Sequence, residues 1–226
     1  MALTDRQIER YSRQILASGF GGIAQERLLA ARLAIVAGRD DPEPALSYMV
    51  GAGVGAIDLI DGANADAAAE RTARMRDLNP DVALRHADRV PRDCDVLLAL
   101  ISDADARSTL DAACADPRAG TAVIARLDVP ARVALIPPRA GCPRCVGEAL
   151  LEPPRARAEH AEFVAMVAAI EALKLLAGIA PIGAAGSMIE FNGLAASMRT
   201  LAPPASGPDA PACGCVRAPV GCAVSR

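Results

Sequence analysis

The chain has 226 residues, of which 52% are apolar, and a formal net charge of −3, so it can build one large domain or two small ones. Aromatic residues make up only 2% and there is no basic run, which argues against nucleic acid or an anionic membrane as partners. The most apolar long stretch, residues 161–180, carries three charged side chains and predicts a buried or interface helix rather than a membrane span.

The first elements in chain order are two short helices. Thr4 and Gln7 have the spacing of a capping box, which predicts a helix through Ile15, and residues 24–31 form a second helix. Residues 33–37 are a continuous apolar run, residues 45–50 carry a helical apolar stripe, and residues 56–60 form a second apolar strand that ends at Asp61. This βαβ unit predicts an α/β fold with a doubly wound, mostly parallel Rossmann-like sheet and helices on both faces.

The rest of the chain continues the alternation of strands and helices. We predict a helix over 66–78, strands over 82–86 and 95–101, a helix over 102–114, and strands over 121–125 and 131–136. The longest helix is expected over 159–178, with Glu171 and Lys174 as a helix ion pair, and a hairpin over 186–201 around Asn192 and Gly193. We assign residues 1–201 to one domain and the Pro-, Gly- and Cys-rich residues 202–226 to a C-terminal tail that packs on it.

The turn after the first strand lies where βαβ units bind nucleotides. Such turns are rich in glycine because backbone N–H groups must approach phosphates at the helix N-terminus. Here the turn AGRDDPE keeps one glycine, Gly38, and has three carboxylates that repel phosphate, while Pro42 has no N–H group to donate. The turn is therefore expected not to bind a nucleotide tightly.

The cysteines and histidines complete the inventory of reactive side chains. Seven cysteines and a polar N-terminal segment predict reduced thiols in the cytoplasm, some of them on a metal ion. Cys94 and Cys114 lie at the ends of predicted elements and are expected to pack as small apolar residues. His86 and His160 have no ligand or nucleophile at a telling spacing, and we interpret both as structural.

A set of motifs spread over nearly the whole chain resembles one family. These motifs are RYSRQI (10–15) followed by GFGG and QERL, then AGVGAIDLID, LNPDV (78–82), CPRC and AAIEALKLLAG. They are similar to those of the ThiF/MoeB/HesA adenylyltransferases, which are related to ubiquitin-activating enzymes. The resemblance implies ATP at the glycine loop and adenylation of the C-terminal carboxylate of a ubiquitin-like carrier protein. It also implies a structural zinc held by two CxxC pairs, and a dimer in which an arginine of the N-terminal helix reaches the partner's nucleotide.

The resemblance assigns roles to three residues of the nucleotide site. Gly38 falls in the glycine loop, Asp61 matches the acidic residue that holds the ribose, and Arg13 matches the arginine supplied across the dimer. Two of them have a plainer alternative. Asp61 can cap its own loop, and Arg13 can pair with a surface carboxylate.

Several other parts of the family's ATP chemistry are altered. The segment with an Asn, an Arg and a Lys that grips the phosphates is missing after Asp61, and Ser102 stands at the metal-binding aspartate, with Asp103 where an Asn belongs. Ala99 replaces an earlier Asp, and the loop that carries a reactive cysteine in some members is shortened around residues 157–162 and has none. Because clamps and metals supply much of the transition-state stabilisation, ATP turnover is not expected.

The zinc site is only partly kept. Cys142 and Cys145 form the first pair and Cys213 matches the second half, whose other cysteine is an alanine here. Cys215, or alternatively Cys222, can supply the fourth thiolate of a tetrahedral structural zinc site. The plainer alternative is a set of free thiols on a loose tail.

Three functions remain from these observations. The first is a non-catalytic family member that forms a homodimer, or a heterodimer with an active relative, and binds a carrier protein or peptide. The second is an active adenylyltransferase in which Arg39 replaces the lost phosphate donors. The third is a dinucleotide-dependent oxidoreductase, which the absence of its glycines and the whole-chain resemblance disfavour.

Overall fold

The computed structural model describes residues 2–38, 40–102, 108, 121–127, 130–137, 160–179, 186–192 and 197–201. In this part of the chain we number five helices and eight strands. The helices are α1 (Asp5–Ile15), α2 (Gly21–Ala30), α3 (Glu43–Ala52), α4 (Ala65–Leu78) and α5 (Ala161–Ala177). The strands are β1 (Arg32–Val36), β2 (Ala56–Ile60), β3 (Ala83–His86), β4 (Val96–Ile101), β5 (Thr121–Arg126), β6 (Ala131–Ile136), β7 (Ser187–Asn192) and β8 (Ser197–Leu201).

The strands form one mostly parallel sheet in the order β3-β2-β1-β4-β5-β6-β7-β8. Five neighbouring strands are parallel: β3, β2, β1, β4 and β5. On the β5 side follow β6, β7 and β8, each antiparallel to its neighbour. This arrangement confirms the predicted α/β Rossmann-like fold. Because these strands are parallel, the carboxyl ends of β1, β2, β3 and β4 lie along a single edge of the sheet, where the candidate site is found.

Strands β1, β2, β4 and β5 are mostly apolar because both of their faces are buried. Side chains alternate between two core clusters: Leu33 and Ile35 of β1 belong to one, and Ala34 and Val36 belong to the other. The apolar sides of α3 and α5 join the first cluster. No helix in the described ranges combines the length and apolar character that crossing a membrane requires.

The predicted elements match the described ones, with small shifts at their ends. The second helix begins at Gly21, three residues earlier than predicted, and the longest helix is α5 as expected. The hairpin strands pair antiparallel, and Lys174 contacts Glu171 at 2.8 Å. Apart from residues 102 and 108, the expected helix over 102–114 lies outside the described residues, as do the hairpin turn and the tail over 202–226. The division of the chain into domain and tail therefore stays a prediction.

One strand is less apolar than the sequence pattern indicates. Asp58 lies in the middle of β2 and is only 3% exposed. Its charge is compensated by Arg32 at the start of β1, whose Nε donates to Asp58 Oδ2 at 2.8 Å, while Asp93 accepts from the same guanidinium group. This contact, led by the hydrogen bond to Asp58, raises the pKa of Arg32 and ties β1 to β2.

Candidate functional site

The crevice between β1 and β4 is the topological switch point of the sheet, because the strand order reverses direction between these two neighbours. In open α/β sheets, ligands bind in such a crevice, outside the carboxyl ends of the strands. Here Ser102, which follows β4, donates a hydrogen bond at 2.5 Å to Oδ2 of Asp40, which lies in the turn after β1. Asp40 is only 4% exposed. The chain's own side chains therefore bridge the crevice.

Two backbone N–H groups between β1 and α3 are bonded within the turn itself. Gly38 has a φ of +36°, and the amide of Asp40 donates to the carbonyl of Ala37 at 2.9 Å. Oδ1 of Asp41 accepts the N–H group of Glu43, the first residue of α3, at 3.0 Å. A phosphate at this helix N-terminus would need such an N–H group, and Asp41 already occupies it.

Asp61, at the carboxyl end of β2, is almost fully buried and paired. Its side chain is 6% exposed. Oδ1 accepts the amide of Ala63 at 3.2 Å, and Oδ2 forms a short ion pair with Nη1 of Arg71 from α4. Asp61 thus makes the loop-capping contact that the sequence left open as the alternative to ribose binding.

Glu43 joins the same cluster from the start of α3. Both of its carboxylate oxygens contact Arg74, at 2.8 and 3.0 Å from Nη2, and Oε2 lies 3.5 Å from Nε of Arg71. Arg74 also donates to Glu70 at 2.7 Å. The hydrogen bonds from Arg74 are the main reason why the pKa of Glu43 is lowered.

Comparisons with known proteins agree with this fold. The chain is 29% identical over 237 aligned residues to the sulfur carrier protein ThiS adenylyltransferase of Escherichia coli, covering 88% of the chain and 93% of that relative. The crystal structure of Escherichia coli MccB with AMPCPP and MccA superposes with a TM-score of 0.65 at 16% identity, over 91% of the chain and 74% of MccB. The crystal structure of PaaA gives a TM-score of 0.64 at 16% identity, over 88% and 84%. In sequence and fold, the chain is similar to the ThiF/MoeB family. No protein-family model matches it.

A histidine extends the cluster around Asp61. His86 ends β3, next to β2, and its Nδ1 lies 3.6 Å from Oδ1 of Asp61. Both ring nitrogens are buried, and neither has a hydrogen-bond partner among the described residues. The sequence interpretation of His86 as structural, without a partner, missed that the parallel pairing of β2 and β3 brings these two strand ends together.

Arg13 lies on α1, away from this cluster. Its side chain is exposed, and within the described residues it makes no hydrogen bond or ion pair. The helix that carries it is held by Tyr11, whose hydroxyl group accepts from Asn79 Nδ2 at 2.9 Å and donates to Asp81 Oδ2 at 3.1 Å. The structure therefore presents Arg13 to solvent.

The predicted zinc ligands are not among the described residues. Among the described residues, no three His, Cys, Asp or Glu side chains are arranged to hold a metal ion. Cys94 is 4% exposed and packs in the core, as predicted. Four cysteines predicted as zinc ligands lie outside the described residues: Cys142, Cys145, Cys213 and Cys215.

Sequence reasoning missed the two arginines that organise the site. Arg71 and Arg74 lie in α4, for which the sequence predicted only a helix over 66–78. Their i, i+3 spacing places them side by side, and Arg71 follows the strand end at Asp61 by ten positions. That spacing, together with an acidic residue at the start of α3, was the signal in the sequence that could have indicated this ion-pair cluster.

Proposed function

We propose that this chain is a non-catalytic ThiF/MoeB family member, does not use ATP, and acts as a dimeric scaffold or partner subunit for a carrier protein, a peptide or an active relative. The observation that carries this proposal is the state of Asp61. A carboxylate that holds a ribose must accept hydrogen bonds from the sugar hydroxyl groups. The oxygens of Asp61 are instead engaged by the amide of Ala63 and by Arg71, and the side chain is 6% exposed.

The phosphate side of the crevice supports the same proposal. Asp41 occupies the N–H group of Glu43, and Asp40 bonds to Ser102 across the crevice. A bound triphosphate would lie among these carboxylates, and like charges at such distances repel each other. Binding ATP would therefore require several internal contacts to break at once.

The direct test is a calorimetric titration of the full chain with ATP and magnesium, using the Escherichia coli ThiS adenylyltransferase as a positive control. We expect no saturable heat from this chain under conditions in which the control binds. Micromolar binding by the isolated chain would refute the proposal.

A second candidate, an active adenylyltransferase, is favoured by the similarity to the ThiS adenylyltransferase over 93% of that relative's length. In this case Arg39, which lies outside the described residues, would supply phosphate contacts. The test is exchange of labelled pyrophosphate into ATP in the presence of several ubiquitin-like carriers. Exchange that disappears in Arg39→Ala would establish this candidate, and no exchange with any carrier would dismiss it.

The dimeric part of the proposal draws on the surface of α1 and α2. Three large apolar side chains there are exposed: Ile8 by 48%, Leu16 by 84% and Ile23 by 71%. Arg13, on the same helix as Ile8, has no partner among the described residues. An active relative whose own N-terminal-helix arginine is replaced should regain activity when mixed with this chain, but not with Arg13→Ala. We place this assembly in the cytoplasm, in keeping with the seven cysteines.

A further inference from the structure

Five side chains of alternating charge connect three elements at the candidate site. They run from Glu70 and Arg74 of α4, through Glu43 of α3, back to Arg71 of α4, and end at Asp61 after β2. Glu43 is the central member and is the one carboxylate of this row that contacts both arginines. Three carboxylates face two guanidinium groups, so the row carries a net negative charge.

The Glu43 carboxylate lies where an anion from solution could bind. It belongs to the first residue of α3, where the helix dipole favours negative charge, and Arg74 holds both of its oxygens as a guanidinium group holds a phosphate. Its side chain is 31% exposed, so solvent and small solutes can reach it. Asp61, at 6% exposed, is too deeply buried to exchange in this way.

We infer that Glu43 is an internal substitute for a phosphate group, and that Arg71 and Arg74 form a latent phosphate-binding pair that Glu43 keeps closed. This inference rests on the proposed function, since it gives the reason why the wild-type site does not take up a nucleotide. Removal of the Glu43 charge leaves the two arginines with one carboxylate each, Asp61 and Glu70. Both arginines then have donors available for a phosphate group at the start of α3.

The experiment compares pyrophosphate binding by the wild-type chain, Glu43→Gln and Glu70→Gln, using calorimetry at constant ionic strength. Glu70→Gln is the matched control, because it removes the same charge from the same arginine at a side chain that is 75% exposed. We expect Glu43→Gln to bind pyrophosphate at least about tenfold more tightly than the wild type, since two charge-assisted contacts become available. Glu70→Gln should stay close to the wild type.

Two further variants decide the assignment of the arginines. In Glu43→Gln/Arg74→Gln the gain should be lost, and Glu43→Ala should reproduce the gain without an amide at this position. Circular dichroism establishes that each variant is folded before titration. Equal gains in Glu43→Gln and Glu70→Gln, or no gain in either folded Glu43 variant, would overturn the inference. ATP binding by the wild-type chain would refute the proposed function instead, so the two failures are distinguishable.

Discussion

Tyr11 is the single buried residue of α1 and holds the helix through its hydroxyl group. In Tyr11→Phe, Asn79 and Asp81 lose this partner, and partly buried groups without partners destabilise the folded state. We expect the free energy of unfolding to fall by about 1–2 kcal/mol, measured by urea denaturation. The control is Tyr48→Phe, because Tyr48 is 39% exposed and has no hydrogen bond within the described residues; a comparable loss there would contradict the assignment.

The same hydroxyl group should make the stability of the folded chain depend on pH in the alkaline range. Burial is the main cause that raises the pKa of Tyr11 from 10.0 to about 12. Between these values the unfolded chain loses the phenol proton while the folded chain keeps it, so stability falls as the pH rises through this window. Tyr11→Phe should lack this part of the decline, while Tyr48→Phe should retain it.

Arg71 balances the charge of Asp61, a carboxylate that is 6% exposed. Arg71→Gln leaves that carboxylate without its cation, and removal of one member of a buried pair costs about 3 kcal/mol. Arg74→Gln is the comparison, because Arg74 is 45% exposed and water can solvate the carboxylates that it contacts. Urea denaturation should show a much larger loss for Arg71→Gln; equal losses would mean that Asp61 does not depend on Arg71.

At the scale of elements, the end of α3 depends on a glycine. Gly53 has a φ of +88°, and a Cβ atom there would lie 2.7 Å from the ring of Tyr11. Gly53→Ala should therefore destabilise the protein by at least about 1–2 kcal/mol, the cost of a left-handed conformation alone. Gly51, in the same helix, has open space around it, and Gly51→Ala should be neutral or stabilising by up to about 1 kcal/mol. Thermal unfolding of both variants tests this prediction, and similar melting temperatures for Gly53→Ala and Gly51→Ala would contradict it.

The sequence predicted the elements well because each has a strong periodic signal. β4 is apolar at all six positions, and α4 has Asn64 as its N-cap. The sequence predicted the ion pair of Glu171 and Lys174 within one helix, but not the charged side chains that meet between elements, because contacts such as Glu43 with Arg74 join residues 31 positions apart. Asp58 was missed for a related reason: an acidic residue within an apolar run is buried only because Arg32 lies on the neighbouring strand.

In the whole molecule, the motifs that carry the family resemblance meet one another. Tyr11 of RYSRQI bonds to Asn79 and Asp81 of LNPDV, and its ring lies against Gly53 of AGVGAIDLID. Gln25 of QERL donates to the carbonyl of Ala52 at 3.0 Å. These contacts lie beside the starts of β2 and β3, at the opposite edge of the sheet from Asp61. The recognisable motifs thus hold the fold together, while the altered positions lie at the carboxyl ends of the strands.

The zinc link between two distant segments stays a prediction, and the topology is compatible with it. β6 and β8 run in the same direction on either side of β7, so the chain leaves both strands at one edge of the sheet. Strand spacing puts these exits about 10 Å apart. Cys142 and Cys145 come soon after Ile136, the end of β6, and Cys213 and Cys215 follow the end of β8. Four thiolates on these two segments can close a tetrahedral site.

We therefore expect about one zinc ion per chain, held by these four cysteines. Metal analysis by mass spectrometry should show loss of zinc in Cys142→Ser and retention in Cys94→Ala, because Cys94 packs in the core. Chelation should lower the melting temperature of the wild-type chain, since the predicted zinc ion would join the tail to the sheet. Zinc loss in Cys215→Ser but not in Cys222→Ser assigns the fourth ligand to Cys215, and the reverse assigns it to Cys222. A metal-free wild-type chain with an unchanged melting temperature after chelation would show that the tail is not held by zinc.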